Sequence, residues 1–535
     1  MNFNWINCVL FLLIISPIIT ITSGQYINPQ LQMTHGEVWP KPFKQKNTNV
    51  YHKMDPETFK FKIVGQICDD LQEALKRYDN ILFLRTTNNS KTGDFVHMFP
   101  NSTLKGQFNT LKVQLMSRCD NEVQHPSLYM NERYFIKIKE GTGILSAYSI
   151  WGIYRGLETF SQLITLTNNG TLFIIRDTTI KDHPKYKHRG YMLDTSRHFL
   201  SLQMIFDSLD AMVYSKLNVF HWHIVDDPSF PYQSSSFPSL SEKGAYDQSS
   251  IYTKADVECV IEYARLRGIR VIPEFDTPDH TGSWGPGGIP GLLTQCSESD
   301  PTSFGPIDPT LEQNYDFIKT LFTEIKELFK DQYFHLGGDE VRHGCWDNNK
   351  RIQEFMKNNS IHDILELENY FFQKIFKITN TLKAKTIVWD ELFDDKIKLD
   401  RNTVVQVWQG DYINKTLNVL KSGHYALLSS CWYLNYVKYG KDWLDVYRCN
   451  PGNFSIEPKY NHLFLGGEAC MWTEYVDDSN VLPLSWPGAS VVGEVLWSHQ
   501  TNETEAAPRL EEHICRLKRR GIPAKPSNGP SHCYY

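Results

Sequence analysis

The chain has no lysine or arginine before Lys41, no CxxC pair and no long basic run. Each absence removes a class of function. Without paired Cys, or Cys and His clustered at ligand spacing, there is no zinc motif, and no metal or cofactor is expected. With 55 Lys and Arg against 61 Asp and Glu the formal charge is -6, and no cationic stripe can follow a phosphate backbone, so nucleic acid is excluded as a partner. Beyond the first segment no apolar stretch approaches the roughly 20 residues that span a bilayer, so no stable membrane anchor is expected.

The first segment, NWINCVLFLLIISPIITITSGQ, is an apolar run broken at Pro17 and followed by Thr22, Ser23 and Gly24. Residues 1–24 read as a cleaved signal peptide that lacks the usual basic start; an uncleaved anchor is the alternative. Seven Asn-X-Ser/Thr sequons, at Asn88, Asn101, Asn169, Asn358, Asn414, Asn453 and Asn502, agree with passage through the secretory pathway. Removing the leader removes Cys8 and leaves ten cysteines, an even number compatible with disulfides. The expected location is the lysosome or the cell exterior.

At 535 residues, 41% of them hydrophobic, the chain exceeds one ordinary domain. From about residue 183, β-branched or aromatic runs end in polar, charged or aromatic residues, at 189–197, 218–227, 269–278, 333–341, 385–392, 402–410, 424–432 and 462–472. Amphipathic stretches at 201–217, 256–268, 314–329 and 366–382 lie between them, and a terminal helix over 505–521 closes at Gly521 before Pro523. This alternation predicts an α/β fold, a (β/α)8 TIM barrel over 183–535, with an open doubly wound sheet as the alternative. Residues 25–182 predict a smaller α+β domain with strands at FKIVG, ILFLR, LKVQL and YFIKIK and one long helix over 143–164. The boundary falls at the basic segment around Pro184.

Barrel enzymes build their sites at the C-terminal ends of the strands. Those ends carry Arg197; Asp226 with Asp227; Asp276 with His280 just beyond; Asp339 with Glu340; Trp389 with Asp390 and Glu391; Trp408; Trp432 with Tyr433; and Trp472 with Glu474. Aromatic faces stack on the C–H faces of a pyranose while carboxylates and arginine bind its hydroxyls, so the set suits a sugar. One of the four tryptophans is expected to be structural. In HLGGDEV (335–341) the paired acids repel and stabilise nothing unless something outside uses them. Neighbours on an extended strand point to opposite sides. That geometry is wrong for a nucleophile and acid facing each other about 5 to 5.5 Å apart, as in ordinary retaining glycosidases.

LDTSRH, HWHIVDDPSFP, EFDTPDHTGSW, HLGGDEV, WYLN and GGEACMW, in this order, resemble the motifs of family 20 glycoside hydrolases, the β-N-acetylhexosaminidases, and are most similar to the eukaryotic lysosomal subunits. The resemblance implies exo removal of terminal non-reducing GlcNAc or GalNAc from oligosaccharides, glycoproteins or glycolipids, without metal or cofactor. It implies a retaining, substrate-assisted mechanism, in which the 2-acetamido carbonyl attacks the anomeric carbon to give an oxazolinium ion. By the same match Asp339 orients and stabilises that amide, and Glu340 is the general acid and base. A charged Asp339 is expected to help raise the pKa of Glu340. Tyr433 is expected to donate to the acetamide oxygen. Trp389, Trp408 and Trp472 are expected to line its pocket, and Arg197 and Glu474 to hold the outer hydroxyls. Asp226 and His280 form either a relay that tunes Glu340 or plain structural support. The family pairs its barrels, so a homodimer is expected.

The chain departs from the pattern after Tyr433 and Leu434. Asn435 and Tyr436 stand where the subunit accepting anionic substrates has Asn then Arg, and where its sister has Asp then Leu. The missing arginine argues against sulfated or sialylated substrates. The resemblance implies disulfides Cys68 with Cys119, Cys296 with Cys345, Cys515 with Cys533, and also Cys431 with Cys449. Cys259 is expected to be free, and Cys470 to be a buried free thiol. Two other readings of the residues stand beside this one: a sugar-binding barrel that has lost catalysis, and a metal-dependent hydrolase using Asp226, Asp276 and Glu340.

Overall fold

A computed structural model describes residues 33–84, 93–118, 123–168, 170–297, 299–300 and 302–533. The leader at 1–24, Asn88, Cys119 and Asn169 lie outside the described residues.

Eight parallel strands close into a barrel: β1 (His188–Asp194), β2 (Val219–Val225), β3 (Arg270–Phe275), β4 (Tyr333–His335), β5 (Lys385–Trp389), β6 (Val404–Val407), β7 (Tyr425–Leu428) and β8 (Phe464–Met471). Each pairs with its successor and β8 pairs with β1, which rules out the open sheet. Seven strands lie within their predicted runs, and β1 starts one residue before its own, at His188. Helices Leu202–Tyr214, Lys254–Arg265, Glu312–Leu328, Ile364–Thr381 and Glu503–Arg519 also fall where expected. Side-chain caps from Ser201, Thr253, Asp363 and Asn502 satisfy first-turn N–H groups that have no partner inside the helix.

The strands are buried on both faces, and helices cover the outside. Period-two alternation still sorts their side chains. On β2, Phe220, Trp222 and Ile224 join the core beneath the helices, whereas Val219, His221 and His223 face the lumen. The lumen is filled in levels. Its floor is apolar, with Val219, Ile272, Ile387, Val404, Leu427 and Leu465. Above it comes a polar level with His221, Glu274, His335, Gln406 and Glu468, all buried. Aromatic rings lie at the top. Gly190 makes room for the polar level, since a Cβ there would lie 2.5 Å from Glu468 Cγ.

The N-terminal part is a mixed eight-stranded sheet with helices Asp69–Leu82 and Ile150–Gln162. Two expectations fail here. The described part of ILFLR is no strand: Ile81 and Leu82 end the first helix, and Leu82 extends its buried stripe of Leu71, Leu75 and Tyr78. The predicted long helix over 143–164 is a strand, Thr142–Ala147, followed by the helix Ile150–Gln162. Its continuous apolar character hides the break, which Ser149 marks by capping Gly152 N–H. Long strands at Lys44–Met54 and Leu172–Asp182 were not anticipated, and the first is too polar to show apolar alternation.

Paired buried charges join this sheet to the barrel. Asp182 accepts from the Trp497 indole at 3.1 Å and from Lys216 Nζ at 3.0 Å. Glu132 binds Arg155 at 2.8 Å and Arg189 at 2.6 Å. Such charges persist in a dry interface because each has its counter-ion. Disulfides join Cys296 with Cys345, Cys431 with Cys449 and Cys515 with Cys533, whereas Cys259 is free and exposed and Cys470 free and buried. Asn101, Asn358, Asn414, Asn453 and Asn502 are exposed.

Candidate active site

The paired acids do not sit on a strand. β4 stops at His335, and the chain turns through Gly337 at φ 70° and Gly338 at φ 94°. Glycine is required there: a Cβ on Gly337 would lie 1.7 Å from Asp276 Oδ1, and Gly338 N–H donates to that same oxygen at 2.9 Å. Glu340 follows in the left-handed region at φ 48°, as does His280 at φ 56°. Strained backbone of this kind gathers where side chains must be aimed. The turn thus separates the two acids by a different route from strand alternation. Asp339 is buried, at 8% exposure, while the Glu340 side chain is 60% exposed at the rim.

A chain of ionisable groups leads to Glu340. Asp226 Oδ2 accepts from His223 Nε2 at 2.7 Å, and Asp226 Oδ1 lies 3.2 Å from His280 Nδ1. His280 Nε2 lies 3.5 Å from Glu340 Oε2 and 3.8 Å from Asp339 Oδ2. Burial alone would lower the His280 pKa, but the Asp339 charge and the bonds to Asp226 and Glu340 hold it well above its ordinary value. In turn the His280 bond pulls Glu340 below its ordinary value, against a smaller opposing effect of burial. The expectation that Asp339 would raise Glu340 is therefore overturned in the free protein, because the charged imidazole between them dominates. Burial raises Asp339, with His280 opposing, and pushes Asp276 well up, helped by the adjacent Asp339.

Around Asp339 stand the aromatics. Trp389, Trp472, Met192 and Cys470 form a buried cluster against which Trp408 and Tyr433 pack. Trp408 and Tyr433 are stacked, with centroids 6.0 Å apart and planes at 3°, and Trp389 meets Trp472 at 6.2 Å. Trp432 is the structural one: it is fully buried in the outer core and donates to Val446 O at 3.1 Å. Arg197 bridges Asp194 at 3.2 Å and Asp226 at 2.8 Å and lies 4.7 Å over the Trp472 ring. Glu474 is exposed at the rim, close enough to help hold the Arg197 charge.

The sequence placed Glu391 at a strand end without giving it a role, and Glu274 was passed over. Glu391 accepts from the Trp408 indole at 2.8 Å, and burial together with Asp339 pushes its pKa up to about 9. Glu274 lies in the polar level, bonded to the Trp389 indole. Its signal was a charged residue inside an apolar strand, two positions before Asp276 and hence on the same face. Among the described residues four sets of side chains have ligand atoms within 4.8 Å of one another: His221 with Glu274 and His335, Asp226 with Asp227 and His280, Asp276 with His280 and Asp339, and, away from the mouth, His343 with Glu368 and Asp395. In the first set the Glu274 oxygens lie 2.9 Å from His221 Nε2 and 3.0 Å from His335 Nδ1.

A barrel whose mouth combines these carboxylates, an arginine and a box of indoles defines a glycoside hydrolase. The family model described as "Glycosyl hydrolase family 20, catalytic domain" matches residues 186–500, and "beta-acetyl hexosaminidase like" matches 38–163. The chain belongs to glycosyl hydrolase family 20 and is an enzyme of the β-N-acetylhexosaminidase type. It is 45% identical over 501 residues to the human beta-hexosaminidase subunit beta, covering 91% of this chain and 88% of the relative. It is also 45% identical over 504 residues to the mouse subunit alpha, covering 91% and 93%. The Flavobacterium johnsoniae chitobiase has a TM-score of 0.76 and 27% identity over 91% of this chain and 73% of its own.

Proposed function

We propose that the enzyme removes terminal N-acetylhexosamine, with Asp339 and Glu340 in separate roles. The observation that carries this is their unequal placement, Asp339 buried beside the aromatic box and Glu340 exposed at the rim. The acetamido group enters the box formed by Trp389, Trp408 and Trp472. Tyr433 donates to its oxygen, and Asp339 balances the positive charge that grows as that oxygen bonds the anomeric carbon. Glu340 protonates the departing glycosidic oxygen and then takes a proton from the water that opens the oxazolinium ion. Arg197 and Glu474 hold the outer hydroxyls and close the far end, which leaves room for a terminal residue only. Asp226 acts through His280 on Glu340.

Glu340 has to be protonated for its first task, although His280 favours its ionised form. Filling the mouth with sugar strips water from Glu340 and raises its pKa, and an acidic compartment works in the same direction. We place the enzyme in the lysosome or outside the cell, as a homodimer. The test compares an aryl N-acetylglucosaminide with the matching aryl glucoside, which lacks the internal nucleophile. Only the first should be cleaved at an appreciable rate; equal rates would overturn the mechanism.

A further inference from the structure

Glu274, on β3, is fully buried and exposes no surface to the open mouth. Both its oxygens are engaged. Oε2 lies 2.6 Å from His223 Nδ1 and 2.9 Å from His221 Nε2. Oε1 accepts from the Trp389 indole at 2.8 Å and lies 3.0 Å from His335 Nδ1. The partners come from β2, β4 and β5. One of them starts the chain His223, Asp226, His280, Glu340, and another is a wall of the acetamido box. His223 has a carboxylate on each nitrogen, so it carries two N–H groups and a positive charge; its pKa is raised to about 10, the nearby carboxylates outweighing burial. Fixed in that state, it can only donate to Asp226, which leaves Asp226 free to accept from His280.

We propose that Glu274 is a positioning residue that couples the acid arm of the site to the acetamido pocket, one oxygen orienting each. The inference rests on the roles given above to Glu340 and Trp389. Its physical basis is rigidity: a buried carboxylate receiving N–H groups from two strands, at His223 and Trp389, cannot shift toward one half of the site without weakening its hold on the other. Reorienting Trp389 must therefore be felt at Glu340, although the two side chains share no contact.

Glu274→Gln tests this, because an amide of the same shape must turn its NH2 toward either the His223 N–H or the Trp389 N–H. The readout is the ratio of kcat on diacetylchitobiose, a poor leaving group that needs proton donation, to kcat on an aryl N-acetylglucosaminide, which needs it little. Wild type that cleaves the N-acetylglucosaminide and spares the glucoside is the starting point, so failure of the underlying reading appears there and not in the variants. We expect the ratio to fall at least tenfold in Glu274→Gln, with a raised KM on both substrates. A folded variant with the wild-type ratio would overturn the coupling. Trp389→Phe, which keeps the buried charge and removes the indole N–H together with part of the ring, covers the case in which the first variant does not fold. It should shift the ratio at least threefold, and an unchanged ratio would overturn the coupling equally.

Discussion

His280→Gln gives the sharpest reading of the electrostatics. The imidazolium lies 3.5 Å from Glu340, whose side chain is 60% exposed, and 3.8 Å from the buried Asp339. A unit charge at such a distance is worth about 1 kcal/mol in water-like surroundings and about 4 kcal/mol at an effective dielectric constant near 20. Its removal should raise both carboxyls, Asp339 by more because it is buried while Glu340 stands largely in water. The sign is the same for both, since a positive neighbour favours each carboxylate in its ionised form. The productive form needs Glu340 protonated and Asp339 ionised. The profile of kcat/KM against pH, which reports the free enzyme, should therefore have both limbs moved to higher pH, the one governed by Asp339 by more. The assay is hydrolysis of diacetylchitobiose, for which proton donation matters. A limb that stays in place or moves to lower pH would show that His280 is not the charged partner of this pair.

Glu340→Gln should cut turnover of the disaccharide by about 10²- to 10⁴-fold and that of an aryl glycoside far less; equal losses on both would remove it from the acid role. Gly337→Ala places a methyl 1.7 Å from Asp276 Oδ1 at a φ of 70°. The left-handed backbone alone costs about 1–2 kcal/mol, so both the thermal midpoint and the activity should fall, and a wild-type melting curve would contradict the turn described here. Cys515→Ser opens a disulfide of sequence separation 18, which in the loop-entropy picture stabilises by about 3 kcal/mol. Stability should drop with little change in KM, and an unshifted midpoint would refute the estimate.

The barrel was legible because its strands are short, apolar and separated by helices of clear 3.6-residue period, so each element could be found from its own residues. The N-terminal sheet was less so. The strand Lys44–Met54 is polar for most of its length and is held by pairing with Leu172–Asp182, far away in sequence. The site divides in the same way. Residues at strand ends announced themselves, since nothing in a core calls for Asp339 beside Glu340. Those inside the strands did not, because Glu274 and Glu468 are surrounded in sequence by the apolar residues of a barrel wall. Yet period two contains them: Glu274 shares a face with Asp276, and Glu468 shares one with Cys470 and Trp472. His221 and His223 share the lumen face of β2, the strand beside β3, and between them bind both glutamates. Read down each strand from its functional end, the lumen side alternates into a second, buried layer of ionisable groups. HLGGDEV is the exposed edge of that layer. The two glycines let the chain leave the strand beside Asp276, so that one acid is buried with the layer and the other is turned out to meet the substrate.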